Sequence, residues 1–305
     1  MNRPANVWTL KRALAAAEKV GCALGSFSPR YTPMIAAVLR GGQQTQSPLI
    51  VQISQRELAR YEITPQEFAD EFYAQLEAQH ITVPLVLHLD HTKEFTVIEQ
   101  AIAAGFTSVM IDASEKPFAE NAATSKEVVE YAHAHGVSVE AELGMIGTTD
   151  FVETEKDEEL YTDPDEARRF VEETTVDALA VSVGTAHGVY LVRQPKIDYE
   201  RLKAIRALTP VHLVLHGGSG VPAEMMSKAI RLSGGGVSKV NIATDLELSL
   251  LEVLGRQERM TNAECKNLSP EDLAKGRAAV EATVTDKITN FLGSYGRAAE
   301  FENVS

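Results

Sequence analysis

Three histidines, His91, His187 and His216, sit at the carboxyl ends of short apolar runs or just beyond them, in "LVLHLDH", "AVSVGTAH" and "VHLVLH". Neutral imidazoles are among the commonest metal ligands, and three of them with a fourth position left open form a catalytic zinc arrangement. One of the runs, "VPLVLHLDHTKEF" over 83–95, places His88, Asp90 and His91 within four positions. A carboxylate next to a metal ligand is suited to general acid and base work, because burial and charge set its protonation. Two further carboxylates, Asp112 and Glu142, also close apolar runs. His133 and His135 precede a glycine that stops a helical pattern, and His80 and His212 begin strands, so these four read as structural.

The three histidines meet only if the apolar runs lie side by side. Eight such runs recur: 22–27, 49–54, 83–89, 108–112, 137–142, 178–183, 211–216 and 237–242. Between them lie stretches of helical periodicity such as "PQEFADEFYAQLEAQ" and "EFTVIEQAIAAG", several stopped by glycine. Strand and helix alternation implies parallel strands joined by crossovers, and eight units favour a closed (β/α)8 TIM barrel over an open sheet. The absence of G-x-G-x-x-G after the first run agrees. In such a barrel the chemistry lies at the carboxyl ends of the strands. Ser54, Asp112, Glu142, His216 and Asn241 end strands there, with Asp90, His91 and His187 at the same mouth.

"HGGSG" (216–220) and "NIATD" (241–245) follow the seventh and eighth runs, where loop amides and a helix N-terminus can hold a phosphate. An amphipathic segment over about 7–20 is expected to cap the barrel floor. The tail from "LSPEDLAKGRAAVEA" onward reads as one long helix packed outside the barrel or on a second subunit, so a homodimer or homotetramer is expected. The acidic stretch "MIGTTDFVETEKDEELYTD" is expected to form a lid, with Glu155 to Glu159 as a solvated face. No linker divides the 305 residues, which are expected to form one barrel domain over 1–305.

With 44% hydrophobic and 24% charged residues the chain can bury a large core. A net charge of −14 disfavours nucleic acid as a partner. Two distant cysteines, Cys22 and Cys265, argue against thiolate-bound zinc and fit a reducing compartment. With no signal-peptide pattern and no apolar run of membrane-spanning length, cytoplasm is the expected location and a membrane partner is not expected.

The motifs "LHLDH", "SVMIDAS", "FAEN", "GVSVEAELG", "VGTAHGVY", "LVLHGGSG", "KVNIATD" and "GSYGRA" occur in the order and spacing of one family. The chain resembles the class II, zinc-dependent fructose-bisphosphate and tagatose-bisphosphate aldolases nearly from end to end. The resemblance implies that His91, His187 and His216 carry the catalytic zinc and that Asp90 exchanges the proton of the aldehyde-side hydroxyl. It associates Asp112 and Glu142 with a second metal position, for a divalent or monovalent cation. Asp150 is its nearest match to the loop acid that exchanges the C3 proton, though shorter than the family's glutamate. Asn241 would bond the enediolate, while Gly188, Gly217, Gly218, Ser219, Ala243 and Thr244 would hold the C1 phosphate of a small sugar-phosphate substrate. The expected reaction is reversible cleavage of a ketose 1-phosphate or 1,6-bisphosphate to dihydroxyacetone phosphate and an aldehyde.

Two loops depart from the family. "GSFSPRYT" has Ser28 and Arg30 where relatives commonly carry asparagines, and "ISQRELARY" supplies Gln55 and Arg56 after Ser54 in place of a glycine-rich stretch. Arg30 or Arg56 is therefore expected to clamp a distal anion, such as the sulfonate or carboxylate of a non-standard sugar phosphate, and Arg277 is another anion-clamp candidate, placed to reach a neighbouring subunit. Two other readings remain: a Schiff-base enzyme using Lys239, and a catalytically silent partner subunit, whose signature would be broken metal or acid positions.

Overall fold

The computed structural model describes residues 3–146, 160–188, 190 and 194–304. Eight parallel strands close into a barrel in sequence order: β1 (Leu24–Phe27), β2 (Leu49–Ser54), β3 (Leu85–Thr92), β4 (Ser108–Ile111), β5 (Ser138–Leu143), β6 (Ala178–Val181), β7 (His212–Leu215) and β8 (Val237–Ile242). Helices α1 (Leu10–Val20), α2 (Ile35–Gln44), α3 (Gln55–Tyr61), α4 (Pro65–Ala78), α5 (Phe95–Ala104), α6 (Phe118–Ala134) and α7 (Pro164–Thr174) come before β6. They are followed by α8 (Tyr199–Leu208), α9 (Ala223–Ile230), α10 (Thr244–Val253), α11 (Asn262–Lys266), α12 (Pro270–Lys287) and α13 (Ala298–Val304). This is the (β/α)8 barrel that the alternation of runs implies. Among the described residues no helix is long and apolar enough to cross a membrane.

Strand periodicity sorts side chains into two populations. Val51, Ile53, Leu87 and Leu89 belong to the large apolar cluster that includes residues of the outer helices, such as Phe68 and Phe72 of α4. Their sequence neighbours Ile50 and Val86 belong to a second cluster with Leu24, Met110, Ala178, Ala180 and Val214, inside the barrel. Trp8 and α1 residues Leu10, Leu14 and Ala17 complete that inner cluster, so α1 closes the amino-terminal end of the barrel as expected. Continuing along the same parity from Ile50 and Val86 gives Gln52 and Ser54 on β2, and His88 and Asp90 on β3. The barrel is therefore apolar at its floor and polar above it.

Three elements differ from their expected extents. The strand β3 runs to Thr92, so His91 lies within it, and the β3–β4 register shifts between Leu89 and Thr92. His91 itself has φ of 33°, a left-handed backbone that a non-glycine residue adopts only when its surroundings impose it. "QRELARY" is the helix α3, begun by a capping box in which Ser54 and Glu57 bond each other's backbone N–H. The tail is not one helix: α12, capped by Ser269 with Pro270 in its first turn, passes into a π-helical turn at Ile288–Leu292 and stops at Gly293, before α13.

The floor cluster should be sensitive to truncation. Leu14→Ala is expected to lower unfolding stability by about 2–5 kcal/mol in a urea titration, because neither α1 nor the strand ends can collapse into the space left.

Candidate active site

The site begins with a problem of buried charge. Glu140 on β5, Lys239 on β8 and His88 on β3 have no exposed surface at all, and Asp90 is almost as deeply buried. An isolated ion there would be expensive, so each must find partners. Lys239 Nζ lies 2.8 Å from Glu140 Oε2, 3.4 Å from His88 Nε2 and 3.8 Å from Asp90 Oδ1. Burial and the ammonium of Lys239 lower the His88 pKa, so the ring is neutral, with Nδ1 bonded to Ser108 Oγ at 2.8 Å.

Asp90 accepts hydrogen bonds from Gln52 Nε2 at 3.1 Å and from Asn241 Nδ2 at 3.1 and 3.2 Å. Burial acts to raise its pKa. The charge of His91, the His88 ring 3.6 Å away and the charges of Lys239 and His216 outweigh that and hold the carboxyl well below its usual range. Asn241 consequently spends its amide group on Asp90 and leaves Oδ1 buried without a hydrogen-bond partner among the described residues.

Above this layer the three histidines converge. The rings of His91 and His187 have centroids 4.9 Å apart, His91 and His216 4.5 Å, and His187 and His216 5.6 Å. Carboxylates set the tautomers of two rings. Nε2–H of His216 donates to Glu140 Oε1 at 2.9 Å, and Nδ1–H of His91 donates to Asp112 Oδ2 at 3.0 Å. A carboxylate can only accept, so the bonded nitrogen keeps its proton and the other nitrogen of each ring is the one that would bind a metal, giving up any second proton to do so. Those nitrogens, His91 Nε2 and His216 Nδ1, are buried and make no well-formed hydrogen bond among the described residues, and neither does Glu142 Oε2, which lies 3.4 Å from His216 Nδ1. Ligand atoms of His91, His187 and His216 lie within 4.8 Å of one another, and so do those of His91, Asp112 and Glu142.

The field at this point favours positive charge. Burial depresses His91, yet the charge of Asp90, the hydrogen bond to Asp112 and the charge of Glu142 lift its pKa to about 10. Burial, with His91 and His216 as positive neighbours, pushes His187 down to about 3. Three imidazole nitrogens gathered among carboxylates fit a divalent metal, which would supply the positive charge that the field favours.

The expected anion loops adjoin this cluster. Gly217 has φ of 67°, and a Cβ there would stand 2.3 Å from the Ala186 carbonyl oxygen, so only glycine fits. Gly218 N–H donates to Asn241 O at 3.0 Å, tying the loop after β7 to β8. Gly188 has φ of 110°. Ser219 Oγ accepts from Asp245 N–H at 3.3 Å, while Ala243 and Thr244 form the start of α10. Asp245, in that first turn, pairs with Lys287 at 2.7 Å, which offsets its charge.

With this geometry in place, comparison with known proteins is decisive. The family described as "Fructose-bisphosphate aldolase class-II" matches residues 8–297. The chain belongs to the class II fructose-bisphosphate aldolase family. It is a class II aldolase, a carbon–carbon lyase. A fructose-bisphosphate aldolase of Geobacillus stearothermophilus is 38% identical over 96% of this chain and 99% of its own length. The 6-phospho-5-dehydro-2-deoxy-D-gluconate aldolase of Bacillus subtilis (strain 168) is 39% identical over 96% of this chain and 97% of its own. Among solved structures, the YdjI aldolase of Escherichia coli K12 superposes with a TM-score of 0.80 at 29% identity, covering 96% of this chain and 99% of that one.

The arginines of this aldolase stand elsewhere than expected. Arg30, with φ of 61°, is buried and spent inside the protein. Its Nε donates to Glu57 Oε1 at 3.1 Å, and its Nη1 is bound closely by Glu247, which also binds Tyr31, Tyr61 and Arg259. Ser28 and Ser54 both donate to Glu57 Oε2, at 2.9 and 3.1 Å. A guanidinium already shared by two carboxylates is a structural clamp, which corrects the expectation that Arg30 holds a distal anion. Arg277 Nε donates to the Pro33 carbonyl at 2.9 Å, anchoring α12 beside the loop after β1. Arg56 is exposed on α3. Asp150 and Glu155 to Glu159 of the expected lid lie outside the described residues.

Sequence reasoning missed Gln52, Glu57, Glu140 and Glu247. Parity was the available signal for the first and third, since each lies two positions before a strand-end polar residue and shares its face. The S-x-x-E capping box was the signal for Glu57. Arg30→Ala is expected to destabilise the fold by about 3 kcal/mol in urea, because Glu57 and Glu247 lose a buried partner, while leaving the ratio of activities on bisphosphate and other ketose substrates unchanged.

Proposed function

We propose that the chain is a zinc-dependent aldolase that reversibly splits a ketose 1-phosphate or 1,6-bisphosphate into dihydroxyacetone phosphate and an aldehyde. The observation that carries this is the convergence of three imidazoles, with ligand atoms of His91, His187 and His216 within 4.8 Å of one another and the second nitrogens of His91 and His216 buried without a well-formed hydrogen bond among the described residues. His91, His187 and His216 would hold zinc, and Asp112 and Glu142 would serve a second cation position. When bound, zinc supplies a Lewis acid for the negative charge that develops on the ketose oxygen.

The chain's own residues do the remaining work. Asp90 is held ionised by its neighbours and oriented by Gln52 and Asn241, and in cleavage it removes the proton of the C4 hydroxyl. In condensation it returns that proton. Asn241 bonds the reacting end of the substrate, and its free Oδ1 can accept from a substrate hydroxyl. Gly188, Gly217, Gly218, Ser219, Ala243 and Thr244 hold the C1 phosphate through loop amides and the start of α10. Asp150 is assigned the C3 proton by its place in the sequence. Assembly as a homodimer or homotetramer belongs to the same proposal.

A Schiff base on Lys239 is disfavoured, because its ammonium is paired with Glu140 in a fully buried site. Relatives of nearly equal identity carry the names of different substrates, so similarity does not choose the aldehyde. A dihydroxyacetone phosphate condensation screen against phosphorylated, sulfonated, carboxylated and neutral aldehydes does.

Chelator treatment is expected to abolish cleavage and added zinc to restore it, while borohydride with ketose should leave Lys239 unlabelled by mass spectrometry. Activity that survives complete metal removal would sink the proposal. Asp90→Ala is expected to lower kcat by about 10²–10⁴-fold with zinc content retained, measured by steady-state kinetics and elemental analysis on the same sample.

A further inference from the structure

Among the described residues, the donor groups suited to a cation fall in two places: around His91, and below it. One is the histidine cluster. The other, His88, Asp90 and Glu140, is fully enclosed, with its ligand atoms within 4.8 Å of one another. That second cluster already contains a cation, the ammonium of Lys239, placed 2.8 Å from Glu140, 3.4 Å from His88 and 3.8 Å from Asp90. An ammonium has three protons and no acceptor, and here it faces three acceptors on two strands.

We propose that Lys239 is a tethered internal cation whose function is to position the reacting groups above it, through Glu140 to His216 and directly to Asp90. The inference rests on the reading that His91, His187 and His216 hold zinc. The geometry gives the route. Glu140 uses one oxygen for Lys239 and the other for Nε2–H of His216, so the ion pair fixes which imidazole nitrogen faces the metal position and how the ring is turned. Asp90 Oδ1 lies between the same ammonium and the Asn241 amide, and Oδ2 takes both amides, of Gln52 and Asn241, so the carboxylate has one orientation. The parity of β8 puts Lys239 and Asn241 on one face, one below Asp90 and one beside it. Lys239 touches neither metal nor substrate and is a positioning residue.

The test uses the full-length zinc enzyme and two variants. Lys239→Met removes the ammonium at similar volume. The double variant Lys239→Met with Glu140→Gln removes both members of the ion pair, so Glu140 is not left as a buried charge and Asp90 keeps its amide partners Gln52 and Asn241, and the barrel should fold even where the single variant does not. The readouts are the zinc dissociation constant by competition with a chromophoric chelator, kcat and KM for ketose cleavage, and the melting temperature. Expected is a 10–100-fold weaker zinc affinity in each folded variant, with a fall in kcat exceeding any rise in KM, and in the double variant this occurs at nearly unchanged melting temperature. A folded variant with wild-type zinc affinity and kcat overturns the proposal while leaving the zinc reading intact. Failure of the wild-type protein to bind zinc overturns both.

Discussion

The site depends on one buried ion pair. Glu140 and Lys239 have no contact with solvent, and each offsets the buried charge of the other at 2.8 Å. Their pairing lets a polar layer exist above an apolar floor. Glu140 then has an oxygen left for His216, and His88 is held neutral between Lys239 and Ser108. Replacing the pair with packed aliphatic side chains would fill the barrel in the usual way, but would leave nothing to hold a histidine and an aspartate in fixed orientations.

From that layer upward, each group is placed by the one beneath it. Gln52 and Asn241 orient Asp90, while Asp112 and Glu140 choose the tautomers of His91 and His216. Within the histidine cluster the backbone of His91 is left-handed, where β3 slips register against β4. The slip breaks strict alternation, so that Asp90 and His91, adjacent in sequence, both take part in the same site. The floor cluster and α1 supply the rigid base on which such a distortion can persist.

The β1 and β2 loops show how a departure from family pattern can mislead. New cations in "GSFSPRYT" and "ISQRELARY" looked like anion clamps when each loop was considered alone. In the folded chain Arg30 meets Glu57 from the second loop and Glu247 from α10, more than two hundred residues away in sequence, and its charge is consumed there. Glu57 binds Ser28 and Ser54 as well, so the substituted residues form one internal knot that ties β1, α3 and α10 together. Charge on an arginine says little about ligands until its carboxylate partners have been located.

Alternating apolar and helical runs determined the closed barrel, because parallel strands need crossovers and eight units close, and strand-end polarity determined which residues share the mouth. His91, His187, His216, Asp90, Asp112 and Glu142 were legible for that reason. Interior parity could also have pointed to Gln52 and Glu140, but a polar residue inside a strand has no meaning until its partners are known. Only the tertiary structure decided that Lys239 answers Glu140, that Asn241 turns its amide to Asp90, that Arg30 is internal and that His91 lies in a strained strand. These are distance relations between residues far apart in the chain. A sequence constrains which face a side chain occupies, whereas Coulomb and hydrogen-bond energies depend on separations of a few ångströms that only closure of the barrel sets.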